Sequence, residues 1–228
     1  SLLPNTRKVF EELNSDWLEL LKEEIDLNQF EDDIEWLLEE YGKKEIFPSQ
    51  KEIFNFANLT SPTNIKVVIV GSISRNWNGH GLAFSTKNNK IPSSLVNIIR
   101  EALENPKLDP TKGDLTEWAK QGVFLINRFL TVCKGEPMSH NKGFWKQITE
   151  SFLKVVLKKN KDVIFLSLGK EAQMLSNLQT QKKLIINLAH PSPLSVNKGF
   201  KNSQCFKKIN DLLKEFGKEA IDWTRGLL

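Results

Sequence analysis

Cysteine is nearly missing from this chain, with Cys133 and Cys205 the only two in 228 residues. Two thiols build no disulfide framework and offer no Cys/His ligand spacing for structural zinc. They suit a reducing compartment, so the expected location is cytoplasmic, or nuclear in a eukaryotic host. No apolar run approaches the roughly 18–20 residues that cross a bilayer, so no membrane partner is expected. The opening SLLPNTRKVFEELN lacks a basic stretch followed by a long apolar one and does not read as a secretion signal. There is no metal-ligand cluster and no phosphate-cradling GxxxxGK[ST], so neither metal nor cofactor is expected. Internal repeats and low-complexity linkers are absent as well, which leaves one domain over 1–228, expected as a monomer.

What is present is ordinary in bulk: 39% hydrophobic and 26% charged residues, a soluble globular composition. The net charge of +4 permits a polyanionic partner without demanding one. Its distribution is uneven. Residues 11–40 are acid-rich, and many of the lysines fall after residue 142, either as a solvated lysine-rich surface or as a positive side facing a partner.

Hydrophobic periodicity orders the elements. WLELLKEEI and FEDDIEWLLEEYGKK repeat every three to four residues, as helices do, with Asn14-Ser15-Asp16 a cap for the first. Pro48-Ser49 opens a further short helix. IKVVIV, ending at Gly71, is a β-branched run of the kind buried on both faces. GVFLIN, DVIFLSLG and KLIINLAH are three more strands, and helical segments follow at IPSSLVNIIREALEN, FWKQITESFLKVVLKK, KEAQMLSNL and SQCFKKINDLLKEFG. Strands alternating with helices predict an α/β fold with a parallel, helix-covered sheet. In such sheets function collects beyond the carboxyl ends of the strands. Those ends carry Gly71-Ser72-Ile73-Ser74, Asn127, Gly169-Lys170 and His190-Pro191-Ser192-Pro193-Leu194-Ser195. Taken singly, Asn127 reads as a turn former or capped amide, His190 as a satisfied structural imidazole and HPSPLS as a rigid turn.

Taken together, these segments resemble the family 1 uracil-DNA glycosylases. LAHPSPLSVNKGF resembles that family's DNA-intercalation motif, and GVFLINRFLTV with the downstream SHNKGFW its base-reading strand and the stretch after it. IPSSLVNII is similar to the loop that compresses the DNA backbone, and HGLAFS to the segment bearing the phenylalanine on which the base stacks. The resemblance spans roughly residues 8–224 and implies a four-stranded parallel sheet flanked by helices. It also implies a DNA glycosylase that flips a nucleotide and hydrolyses its N-glycosidic bond, with no cofactor. Leu194 would be the apolar wedge and Phe84 the stacking ring. Asn127 would read the pairing edge, since an amide offers donor and acceptor together. His190 would donate to the base carbonyl and stabilise the departing anion. Pro92, Ser93, Ser94, Gly169, Lys170, Ser192, Pro193 and Ser195 would grip the DNA backbone.

The match fails in one loop. Family members carry GQDPYHGPxQAHGL where this chain reads GSISRNWNGHGL, two residues shorter. The family's glutamine falls on Ser72, its water-positioning aspartate on Ile73 and its thymine-excluding tyrosine on Arg75. Loss of such a preorganised contact costs on the order of 10²–10³ in rate, so weak or absent uracil excision is expected. One reading is an enzyme retuned to a non-standard pyrimidine, with Arg75 gripping a polar adduct and Asn76 or Asn78 positioning water. Ser72, Ile73 and Arg75 would then line the base pocket. The other is a catalytically inactive homologue that serves as a DNA-binding or protein-binding module. A protein inhibitor or a replication factor recognising the Leu194 loop is a further partner to consider. Asn127, His190 and Phe84 retained as a set favour the first reading.

Overall fold

The computed structural model describes residues 1–73 and 79–228, residue 73 by its backbone alone. The chain opens with α1 (Pro4–Phe10), α2 (Ser15–Glu24) and α3 (Glu31–Lys43). Their apolar stripes point inward: Trp17, Leu21, Ile34 and Leu37 are fully buried. The expected cap of α2 is different in detail. Asn14 is the N-cap residue, but its side chain makes no capping bond; its amide donates instead to the Asn58 carbonyl at 3.4 Å. Asp16 accepts the Trp17 N–H at 2.8 Å.

After α3 comes β1 (Ile46–Phe47), which pairs antiparallel with β4 (Val132–Cys133). Two-residue strands carry no periodicity, so this ribbon has no signature in the sequence. The helix expected at Pro48-Ser49 is a 3₁₀ turn over Gln50–Glu52, followed by α4 (Asn55–Asn58).

The main sheet holds β2 (Val67–Ile73), β3 (Val123–Phe129), β5 (Ile164–Leu168) and β6 (Ile185–Leu188) in the order β3-β2-β5-β6. Every neighbouring pair is parallel, as expected of a four-stranded α/β sheet. The crossovers contain α5 (Ser93–Ala102) and α6 (Thr116–Ala119) between β2 and β3, α7 (Gly143–Lys159) before β5 and α8 (Lys170–Ser176) before β6. Helix α9 (Cys205–Glu215) follows β6. Val67, Val68 and Val70 of β2 and Ile164, Phe165 and Leu166 of β5 are fully buried, because helices cover both faces. β6, paired on one side only, is less buried and stops at Leu188. His190 therefore stands in the loop after the strand rather than on it, ahead of a proline that cannot donate to a ladder. β2 and β3 run past Gly71 and Asn127, with Ile73 opposite Phe129.

Aromatic side chains lock the layers. Trp17 stacks on Phe124 of β3 at 5.2 Å and meets Phe152 of α7 at 5.9 Å, fastening the acid-rich N-terminal helices to the sheet. Trp118 meets Trp223 edge-on at 4.9 Å and donates its indole N–H to the Trp223 carbonyl at 3.0 Å, which ties down the last segment. Cys133 and Cys205 are buried free thiols. Burial pushes them up to about 11 and about 12, so neither supplies a thiolate at neutral pH.

Two buried histidines make stability depend on pH. His140 lies between Thr131 Oγ1, 2.8 Å from Nδ1, and Glu40 Oε1, 3.2 Å from Nε2. His80 Nε2 lies 2.7 Å from Ser85 Oγ and 3.7 Å from an Asp114 oxygen. Burial holds both imidazoles below their ordinary pKa, against the opposing pull of Glu40 and Asp114. Below about 6.5 the unfolded chain takes up protons that the folded chain refuses, so stability is complete above that pH and falls as pH drops through it. Thermal melts are expected to show a lower Tm at pH 5.5 than at pH 7.5, and His140→Gln is expected to flatten that difference. Equal Tm values for the parent at both pH values would count against it.

Candidate functional site

Because the four strands of the main sheet are parallel, their carboxyl ends open on one side of the molecule. Gly71 is opposite Asn127 in the β2–β3 ladder. A Cβ at Gly71 would lie 2.4 Å from Asn127 Oδ1 and 3.3 Å from two ring carbons of Phe84. Asn127 and Phe84 therefore close over the bare backbone of one glycine, and no larger residue fits there without displacing the amide. Gly71 stands out in the sequence only as the end of a strand, and its part in the site comes from the register.

Phe84 sits at φ 67°, a left-handed conformation that a bulky side chain adopts only when its surroundings impose it. Its neighbours impose it from both sides. The Ala83 N–H donates to the Leu125 carbonyl of β3 at 3.0 Å, and the buried Ser85 hydroxyl lies against His80 and accepts the Leu115 N–H at 2.8 Å. The Phe84 ring is half-buried and stands 6.1 Å from the His190 ring at 53°.

His190 is oriented by its own loop. The Ser192 backbone N–H donates to Nδ1 at 3.1 Å, which makes Nδ1 an acceptor and places the proton of a neutral imidazole on Nε2. The loop is cross-braced: Ser195 Oγ donates to the His190 carbonyl at 2.7 Å and lies 3.0 Å from Ser192 Oγ. Gly169, at φ 94°, passes 3.5 Å from His190 Cβ for an added methyl and donates its N–H to the Leu188 carbonyl at 2.9 Å. Lys170 next to it is exposed, at the start of α8. The loop tip, Pro193-Leu194, stands clear of the fold, and Leu194 is 91% exposed.

Pro92 caps α5 with Ser93 exposed beside it and Ser94 half-buried. An Asn97–Pro191 hydrogen bond of 2.8 Å brings this helix against the His190 loop. The side chain of Asn127 makes no hydrogen bond to another described residue. Ser72 lies half-buried between Gly71 and Ile73. The structure thus brings Asn127, Phe84, His190 and Gly169 together, with Pro92, Ser93, Ser94, Ser192, Pro193, Leu194 and Ser195 around the opening. Arg75 and Asn76, with Ser74, Trp77 and Asn78, and the side chain of Ile73 lie outside the described residues. Among the described residues no group of His, Cys, Asp or Glu is placed to hold a metal ion, and no helix is long and apolar enough to cross a membrane.

A family model described as "Uracil DNA glycosylase superfamily" matches residues 57–214, well over half the chain. The chain belongs to the uracil-DNA glycosylase superfamily. Among its curated relatives, the uracil-DNA glycosylase of Bacillus licheniformis is 39% identical over 217 residues, covering 93% of this chain and 96% of its own. That of Mesomycoplasma hyopneumoniae is 39% identical over 196 residues, covering 84% and 89%. Of the solved structures, mimivirus uracil-DNA glycosylase superposes with a TM-score of 0.83 at 28% identity, covering 97% of this chain and 89% of that one. A mimivirus UNG variant in complex with UGI reaches 0.82 at 28% identity, covering 97% and 91%. The superfamily's fold, with its four-stranded parallel sheet flanked by helices, is the fold seen here.

Proposed function

We propose that this chain is a monofunctional DNA N-glycosylase, acting as a single-domain monomer, that flips a nucleotide out of DNA and hydrolyses the N-glycosidic bond of a non-standard pyrimidine while largely sparing ordinary uracil. The observation that carries the reading is the orientation of His190: with Nδ1 accepting the Ser192 N–H, a neutral imidazole carries its proton on Nε2, and the ring stands 6.1 Å from that of Phe84. A chain relieved of cleavage has no chemical need for Asn127, His190 and Phe84 as a set.

Leu194 enters the stack in place of the extruded nucleotide, at a cost of a few kcal/mol for unstacking. Phe84 stacks on the flipped base and Asn127 pairs with its edge. Water adds to the sugar C1′ as the C1′–N bond breaks, the bonding pair leaves with the base, and the proton that the added water gives up passes through solvent to the base anion. His190 Nε2–H donates to the base oxygen on which that charge collects. Ile73 supplies nothing to a cationic sugar, and Asn76 is the candidate for positioning water. Arg75, with its planar fork of donors, suits a polar substituent at the pyrimidine 5-position. The backbone grips at Pro92, Ser93, Ser94, Gly169, Lys170, Ser192 and Ser195 hold the duplex.

The test is mass spectrometry of free bases released from uracil-containing DNA, unmodified DNA and DNA with hydroxymethylated or glycosylated pyrimidines. Release of one modified base, with uracil release on the order of 10²–10³ below that of a relative bearing the aspartate, is the expected result. Uracil release at a relative's rate overturns the altered specificity. Silence throughout, with DNA still bound, replaces the enzyme by an inactive DNA-binding homologue, the reading that the substitutions at Ser72, Ile73 and Arg75 would then favour.

A further inference from the structure

One face of α5 holds both ends of the segment that carries Leu194. Asn97 and Glu101 are four residues apart, hence neighbours on that face. Asn97 Nδ2 donates to the Pro191 carbonyl at 2.8 Å. The Glu101 carboxylate accepts two backbone N–H groups, from Asn202 at 2.8 Å and from Gln204 at 3.0 Å. Pro191 precedes Leu194, whereas Asn202 and Gln204 follow it, so the two grips are the feet of an arch with the wedge between them. Asn202 and Gln204 stand at φ 65° and 57°; asparagine takes this left-handed conformation readily, but a glutamine keeps it only when its surroundings fix it. The Glu101 carboxylate is bonded to both.

Beneath the arch, the helix and the segment part around a cavity of about 390 Å³, lined by Asn97, Arg100, Glu101, Val196, Asn197 and Lys201. Between the feet the segment is anchored to the core by the fully buried Phe200, and it meets α5 through the Asn97 and Glu101 hydrogen bonds. Within the arch, Val196 N–H to the Ser192 carbonyl at 2.7 Å and Lys201 N–H to the Val196 carbonyl at 2.9 Å stiffen the span. The same helix begins at Pro92-Ser93-Ser94, at the rim of the site.

We propose that Asn97 and Glu101 are positioning residues that join the Leu194 wedge and the Ser93-Ser94 backbone grip into one rigid jaw, so that compression of the DNA backbone and insertion of the wedge occur as a single movement. This rests on the nucleotide-flipping reading above. The jaw has no contact with the base; it acts by fixing where Leu194 stands relative to the phosphates.

The experiment uses the full chain as parent, Asn97→Ala, Glu101→Gln, Leu194→Ala and the Asn97→Ala/Leu194→Ala pair, each checked for an unchanged thermal melt. Hydrogen exchange without DNA reads the arch, and fluorescence of 2-aminopurine beside the target position reads flipping in duplex DNA. Faster exchange at Asn202 and Gln204 in Glu101→Gln is expected. Both clamp variants should lose about tenfold in the flipping equilibrium while single-strand affinity stays at the parent's value. The paired variant should be little worse than Leu194→Ala alone, because a wedge already out of place has little left to lose. Unchanged exchange, parental flipping by both clamp variants, or losses that add fully with Leu194→Ala would overturn the jaw. A parent that binds DNA without any fluorescence change overturns the flipping reading itself and the jaw with it.

Discussion

His190→Asn is expected to lower kcat for base release on the preferred substrate by on the order of 10²–10³, the cost of removing one preorganised donor to a developing anion. The choice of asparagine matters. Its Oδ1 reaches the position of Nδ1 and preserves an acceptor for the Ser192 N–H, now met at 3.1 Å, so the loop retains its brace. It has nothing at the position of Nε2. His190→Gln offers the complement, a donor near Nε2 and no acceptor near Nδ1, and is expected to retain more activity than His190→Asn even though its loop is less well held. His190→Ala removes both and should be the slowest of the three. Single-turnover kinetics with saturating protein isolates the bond-breaking step from product release. A smaller loss for His190→Asn than for His190→Gln would mean that His190 serves only the loop, since asparagine keeps the acceptor for the Ser192 N–H and glutamine does not.

The framework was written openly in the chain. A parallel sheet with buried centre strands needs continuous β-branched runs, and IKVVIV and VIFLSL are such runs, so strand positions and the common opening of their ends followed directly. Expecting Asn127 and His190 at one mouth needs only that topology, whereas the expectation for Phe84 rests on the family resemblance of HGLAFS. The errors lie where local signals are short or tertiary contacts override them. The β1–β4 ribbon is held by pairing rather than pattern, and the Asn14 side chain is drawn from its cap to Asn58. The place of Gly71 beneath Asn127 depends on a register that no single segment encodes. The tautomer of His190 comes from one backbone N–H two residues on, and the Asn97–Pro191 bond joins positions 94 residues apart. The altered loop is a different case. Its departure is an expectation from the resembling motif alone, and what Arg75 and Asn76 do in it is a matter of chemistry that base release has to decide.

Asn127→Ala is expected to cost about one to two powers of ten in kcat/KM on the true substrate, the range for leaving a buried hydrogen-bonding partner unmet. The amide stands over Gly71, where an added Cβ would lie 2.4 Å from Oδ1, and it makes no hydrogen bond to another described residue. Truncation therefore leaves no described protein group behind it unpaired, and the fold should melt as the parent does. The loss belongs to the base alone. An amide presents donor and acceptor in fixed order, so it distinguishes bases whose edges present them in opposite order. Alanine presents neither, and the ratio of kcat/KM between preferred and next-best base is expected to shrink along with the rate. That second effect separates reading from packing. A side chain that merely shaped the pocket would lower both substrates together and leave their ratio unchanged, and such a result would remove Asn127 from base recognition while leaving His190 and Leu194 in their assigned parts.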